Sequence, residues 1–539
     1  MGEKKAKAAT GKVKAPRRGV EAKTRPAGPP LHDLLTDKVI TVREGQERTR
    51  RSLPEVLALL GAKRVDAFPA LQAFQQHAWH AFLVQLASMA LHRAGETSPK
   101  QSSARWGELL LDMTQGEHEP WCLAVPNLAK AAFMQPPIPE GSLGDFKDAL
   151  ERPDLMDVLI IAKNHDVKRG RIDRPDPEHW VYALVSLQTM EGYSGRNYGI
   201  ARMNGGYGSR PGVGLAQRLE PGWRFARDVR RLLSGRAEVL ARHQQYDDDA
   251  VRLLLWVEKW DGAASGPFRA FDPYFIEVCR RVRLEPADVI GKLVARLKPT
   301  KTPRLATDGL GGVTGDPWTP VNPAESTAFT SSEAGFSYRV VQRLLSDEFI
   351  PGVALKPSAD EGDSLFIGEV MARGQGQTNG YHHRVIPVPA KVVRRLGDDT
   401  ERKALSDLAK ERVETVATVS RSVLLPALLT LVQGDPKKPR KLDYKDERPR
   451  RWLVALEEAV DAEFFERLWA DLDRPPAEAR REWEHRLLAL ARVQLDLALE
   501  SAPTPSALRY RAIAGADRMF EACKRKNFKH LFDQPGEAA

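Results

Sequence analysis

The chain has 539 residues, of which 42% are hydrophobic and 29% charged. That is too long for one core and suits two or three domains of roughly 100–200 residues in a soluble globular protein. Its net charge of +10 is uneven: residues 1–26 carry nine Lys or Arg against Glu3 and Glu21, which leaves only +3 over the other 513.

A nearly neutral body does not by itself establish nucleic-acid binding. The tail either holds a polyanion by releasing counterions or is a disordered solubilising segment. It lacks the apolar stretch of a signal peptide, so a cytoplasmic protein is expected. No run of about 18 apolar residues appears, so no transmembrane helix and no membrane partner are expected. Cys122, Cys279 and Cys523 lie far apart and outside any CxxC pair, which argues against a disulfide framework or a cysteine zinc site.

In chain order, Val39-Ile40-Thr41-Val42 reads as a strand. Residues 53–61 and 68–94 read as helices; in the second, Leu71, Phe74, Ala78, Phe82, Leu86, Met89 and Leu91 recur at roughly helical spacing. Residues 100–390 mix short helices and a few strands with loops. Two irregular stretches, 162–180 and 299–330, exceed ordinary connections, so they are either functional or disordered. From about 397 four amphipathic helices follow, near 400–433, 451–471, 477–500 and 506–531. They are separated by a charged linker (434–451), Pro475-Pro476, and Pro503 with Pro505. The expected fold is α+β: a tail at 1–30, a large mixed α/β domain with long functional loops at 31–396, and a C-terminal four-helix bundle at 397–539.

Enzyme signatures are missing. There is no GxxxxGK[ST], GxSxG, HExxH or EF-hand loop. Asp247-Asp248-Asp249 and His382-His383 point in diverging directions and lack companion ligands. Asn164-His165-Asp166 is too short a match to a nuclease motif to carry weight, and Glu117-His118-Glu119 reads as a turn. No catalytic residues, metal site or cofactor are assigned. The competing readings are a nuclease using His165, His382 or Asp247–Asp249, and a purely structural helical scaffold.

Three segments suit nucleic acid. Lys163–Arg171 places Lys163, Lys168, Arg169 and Arg171 with Asn164 and His165 on a stretch with no hydrophobic period, suited to phosphates or simply solvated. Residues 192–211 have glycine at six of twenty positions, interleaved with Tyr, Asn and Arg. Glycine there permits close backbone approach to a ligand, or marks a turn between core elements. Residues 372–384, with Arg373, Gln375, Gly376, Gln377, Thr378, Asn379 and Arg384, read as a flexible, protruding, uncharged tip between basic anchors. Its amides suit base edges, and a hairpin turn is the plainer alternative.

Together these segments, their order and the C-terminal helices resemble the CasA family, the large subunit of the type I-E CRISPR Cascade surveillance complex. The resemblance runs over about residues 31–532. It is carried by Leu34–Asp37 with Ser52–Leu57, the glycine segment 192–211, Asp316–Pro320 with Phe329–Ser332, Arg373–Arg384, and Tyr510–Phe528.

The resemblance implies a non-enzymatic subunit that reads a protospacer-adjacent motif (PAM) on double-stranded DNA. It implies that this subunit starts strand separation for R-loop formation and helps recruit the helicase–nuclease, while guide RNA reads the remaining sequence. It implies as partners the guide RNA (crRNA), the backbone and small subunits, and the subunit that holds the RNA 5′ handle. It implies a glutamine wedge, which Gln377 matches best with Gln375 next, and a minor-groove contact from the glycine loop at Gly192, Ser194, Gly195, Arg196 and Asn197. It also implies a PAM-contacting lysine, for which Lys301 is the match, with Lys298 and Arg304 as competitors. Segment 163–171 maps to a flexible nucleic-acid loop whose partner, RNA or DNA, stays open. The cysteine cluster of some relatives is absent here, so no metal is carried over.

Overall fold

The computed structural model describes residues 29–146, 148–156, 172, 174–190, 210–287, 292–300, 302–358, 360–374, 377–434, 442–502 and 508–532. At the centre of the N-terminal half lies the helix Gln76–Arg93, buried continuously from His77 to Leu91. A helix apolar on every side belongs inside a large core. It packs against the helices Pro177–Met190 and Pro221–Arg242 and the strand Phe271–Ile276. Its ring contacts include Trp79 stacked on Phe82 at 5.4 Å and Phe82 edge-on to Phe133 at 5.6 Å.

The expected helix at 53–61 is present as Leu53–Gly61, closed by a capping box between Ser52 and Glu55. The expected helix at 68–94 starts later, at Gln76, after a short 3-10 turn at Ala73–Gln75. Pro69 disfavours helical backbone at Phe68, and the near-total burial of the helix blurs the periodicity that would locate its start. The strand read at 39–42 is Ile40–Glu44, paired with Glu47–Arg51.

The described residues form two three-stranded antiparallel sheets. One has the order Gln377–Val388, Ser364–Gly374, Gly212–Ala216; the other runs Asp148–Leu150, Leu293–Lys298, Arg281–Pro286. The segment Asp316–Pro320 is irregular, followed by a two-residue ladder between Val321–Asn322 and Thr327–Ala328.

All four C-terminal helices form. The first is a continuous rod of Asp399–Thr418, a π-helical turn Val419–Leu424, and Leu425–Gln433, ended by left-handed Gly434. The others are Arg450–Asp471, Pro476–Ser501 and Arg509–Asn527. Among the described residues, only the rod is long and apolar enough to cross a membrane, and its apolar window is 67% buried inside the fold. That apolarity serves a shared core: Val423, Leu428, Phe464, Trp483 and Phe520 join one apolar cluster with Val213, Phe336, Phe366, Val370 and Ile386 of the preceding segments.

Candidate nucleic-acid interface

The described residues of 372–384, that is 372–374 and 377–384, take the hairpin alternative: they lie on a two-stranded arm, Ser364–Gly374 against Gln377–Val388, paired as far as Gly374 opposite Gln377. Strand pairing supplies backbone hydrogen bonds that a Gly- and Gln-rich composition does not advertise. The ladder slips once. Ala372 faces Gly380 and Arg373 faces Thr378, so Asn379 is the extra residue of a bulge. A bulge leaves its extra residue out of the ladder and re-aims its side chain. The Asn379 Oδ1 is buried and has no hydrogen-bond partner among the described residues.

Gly212–Ala216 lies along the same arm, with Gly212 opposite Glu369. In the chain, the glycine-rich segment 192–211 leads directly into this strand. Its described end is firmly rooted. Arg210 Nε donates to Asp316 Oδ2 at 2.6 Å, with both side chains essentially inaccessible, and its NH2 donates to Gln85 Oε1 at 3.1 Å. Trp318 carries the network on, donating Nε1–H to Asp228 Oδ2 at 3.2 Å; that carboxylate also meets His80 Nε2 at 2.9 Å. A Cβ on Gly212 would sit 2.5 Å from His77 Nδ1, so only glycine lets this strand lie against the central helix.

Charges set the electrostatics of this root. Burial drives His77 well below its usual range, helped by Arg210. Burial lowers His80 too, and Arg224 adds to that against the pull of Asp228. Both imidazoles are therefore neutral at pH 7, consistent with a site already holding Arg210 and Arg224. Burial raises the Tyr381 phenol, and Glu369 raises it further.

The other end of the segment is fixed by the helix Pro177–Met190, whose Gln188 donates to Met134 O at 2.8 Å and Arg280 O at 3.1 Å. The basic segment 163–171 precedes that helix and the glycine segment follows it. That helix has 14 residues and is roughly 20 Å long at about 1.5 Å per residue.

Of the sequence-derived site residues, Lys163, Asn164, Lys168, Arg169, Arg171, Gly192, Ser194, Gly195, Arg196, Asn197, Lys301, Gln375 and Gly376 lie outside the described residues. Arg373, Gln377, Thr378, Asn379 and Arg384 all fall on the arm. Arg384 is committed to holding it in place, donating NH1–H to Phe336 O and Asp461 Oδ1, both at 2.8 Å. Of the two competitors of Lys301, Lys298 is bound to Glu140 at 2.9 Å and Asp145 at 3.2 Å, and Arg304 is buried with its NH2 on Leu255 O and Glu258 O. Along the flank of the arm an open groove of about 850 Å³ separates Tyr381, His382 and His383 from Arg450, Glu457 and Glu458.

Sequence reasoning missed Arg224, Glu369 and the bulge at Asn379, and it read Arg210 only as one of the arginines of the glycine-rich segment, where it is instead buried on Asp316. A usable signal existed for Glu369, the one carboxylate in the otherwise apolar run Leu365–Met371. Among the described residues no group of three or more His, Cys, Asp or Glu is placed to hold a metal. Asp248 is taken by Arg236 at 2.5 Å and His92 at 3.1 Å. His118 Nδ1 meets Asp33 at 2.7 Å.

No protein-family model matches the sequence, and none of the curated proteins compared with it matches. The fold does match solved structures. It is similar to the CRISPR-associated protein Cse1 from Acidimicrobium ferrooxidans, with a TM-score of 0.61, 14% identity, and coverage of 93% of this chain and 99% of that one. It is similar to CasA (Cse1) of Thermus thermophilus, with a TM-score of 0.59, 14% identity and coverage of 92% and 100%. It is also similar to a chain of a CRISPR RNA-guided surveillance complex, with a TM-score of 0.56, 12% identity and coverage of 92% and 100%. At such identities the likeness establishes a shared fold over nearly the whole chain, as the sequence resemblance implied.

Proposed function

We propose that this chain is the large subunit of a type I-E CRISPR surveillance complex and inspects double-stranded DNA for a PAM. The observation that carries the reading is the single sheet Gln377–Val388, Ser364–Gly374, Gly212–Ala216, which joins the glycine segment to the Gln377 arm within a Cse1-like fold. In this reading the arm meets the duplex. Its stiffness comes from the ladder and from Arg384, and the bulge at Asn379 sets the local twist of its distal part. Gln377 is the wedge beside the first base pair past the PAM, and the glycine segment approaches the minor groove, where small residues allow close contact. The chain supplies binding and strand separation, not catalysis. Guide RNA and the other subunits assemble with it in the cytoplasm, and the helicase–nuclease docks on the assembled complex.

The test is reconstitution. The chain is expected to co-purify with a guide RNA and the backbone subunits, and the complex to bind PAM-bearing duplex more tightly than a duplex with a scrambled flank. Equal binding of the two duplexes would overturn the reading.

A further inference from the structure

At the end of the sheet away from the arm's tip, the helix Leu53–Gly61 closes in a way that sets up an unusual cation. Lys63 N donates to Leu60 O and Arg64 N to Leu59 O, both at 2.9 Å, the double bond of a Schellman ending. The left-handed position in that motif ordinarily belongs to glycine. Here it is Lys63, at φ +60°. The strained turn is clamped from outside: Gly222 N donates to Val65 O at 3.0 Å, and a Cβ on Gly222 would lie 2.9 Å from the Lys63 backbone.

The clamp places the Lys63 ammonium 3.9 Å from the Trp223 ring centroid, and the Arg218 guanidinium lies over the same indole at 4.6 Å. Arg230, about two turns after Trp223 on the helix Pro221–Arg242, lies close enough for its charge to act on Lys63. Among the described residues no carboxylate comes within ion-pair distance of Lys63, Arg218 or Arg230; the neighbouring Arg64 is paired, with Glu44. Burial lowers the Lys63 pKa, and the charges of Arg230 and Arg218 lower it further. Two like charges held over one aromatic ring, one of them on a strained backbone, with a third cation nearby, form an arrangement that an anion would relieve.

We propose that Lys63, Arg218 and Arg230 around Trp223 form a phosphate-binding patch for the backbone of double-stranded nucleic acid. The choice of ligand rests on the proposed function; the place and charge of the patch rest on geometry alone. Ala216 faces Leu365, nine residues down the strand from Gly374 at the arm's tip. At about 3.3 Å per residue the patch is roughly 30 Å from that tip. One duplex touching both spans about nine base pairs at about 3.4 Å of rise each.

The experiment uses the full chain and a 30-base-pair duplex without any chosen motif, followed by fluorescence anisotropy over a range of salt. Lys63→Gly removes the cation and the backbone strain together, so the variant is expected to unfold no more easily than the unvaried chain while binding DNA more weakly. Each lost phosphate contact lowers the slope of log affinity against log salt by about 0.9. The triple variant Lys63→Gly, Arg218→Gln, Arg230→Gln is expected to lose up to about 3 from that slope. A control removing Lys259, Lys403 and Arg481, equal in charge and scattered over the surface, is expected to lose much less. Three results overturn the proposal. They are no binding by the unvaried chain at low salt, equal losses in the patch and control variants, and a patch loss seen with polyglutamate but not with DNA, which assigns the patch to an acidic protein. None of these bears on PAM discrimination by the assembled complex, which tests the proposed function separately.

Discussion

The Glu369 carboxylate, with no exposed surface, lies 2.8 Å from the guanidinium of Arg224, across the root of the arm. Neither Glu369 oxygen has an aligned hydrogen bond. The pair is thus a charge contact that fixes where the strand Ser364–Gly374 sits over the helix Pro221–Arg242.

Breaking one side of such a pair leaves a buried charge without compensation, at a cost of about 3–5 kcal/mol. Glu369→Gln is therefore expected to lower the urea midpoint markedly. The double variant Glu369→Met, Arg224→Met is expected to regain most of the loss, because two apolar side chains avoid the desolvation penalty. A double variant less stable than Glu369→Gln would show that the charges themselves stabilise the root.

The acid limb of stability is expected to involve Glu140. Burial pulls its carboxyl up, but hydrogen bonds from Arg281 and Lys298 outweigh that and hold it at about 2, below its ordinary 4.5. The folded state therefore binds this proton less readily than the unfolded chain. The resulting stability is present above about 4.5 and is lost as pH falls towards about 2. Glu140→Gln is expected to destabilise the protein at pH 7, with the gap to the unvaried chain closing between pH 4.5 and 2. A gap independent of pH would contradict this assignment.

The proposed bundle boundary at 397 has a measurable consequence. Phe464 lies 4.7 Å from Tyr338 and 5.9 Å from Trp483, ring centre to ring centre, so the bundle core continues into the segment before it. A fragment 397–532 is expected to be helical by circular dichroism but to bind a hydrophobic dye, and a fragment 330–532 to bind much less. Phe464→Ala is expected to cost about 3–5 kcal/mol in the full chain. Equal dye binding by the two fragments would mean that the bundle closes its own core.

The C-terminal helices were legible because each carries an apolar stripe between strong breakers. The stretch read at 451–471 is Arg450–Asp471, and that read at 477–500 is Pro476–Ser501. The arm was legible only as the hairpin alternative; its pairing with Gly212–Ala216 was not, because that partner lies far away in sequence. The same holds for Arg210 and Asp316, 106 residues apart, whose pairing has no local signature. What the sequence did offer was the chemistry of the segments, an amide-rich tip and a glycine-rich stretch, and the strand that follows the stretch, Gly212–Ala216, joins the sheet that carries Gln377.

Gln377 is the proposed wedge. As a wedge it offsets part of the cost of unstacking a base-pair step, on the order of a few kcal/mol, and does so only where strands must part. The decisive measurement is the rate of R-loop formation by the reconstituted complex, on fully paired targets and on targets with a melted bubble beside the PAM. Gln377→Ala is expected to slow opening of the paired target far more than of the bubbled one. Gln375→Ala should do so less, and Lys168→Ala should weaken binding to both alike through a lost phosphate contact. Equal slowing of both targets by Gln377→Ala would contradict the account, because the arm would then anchor DNA without prying it open.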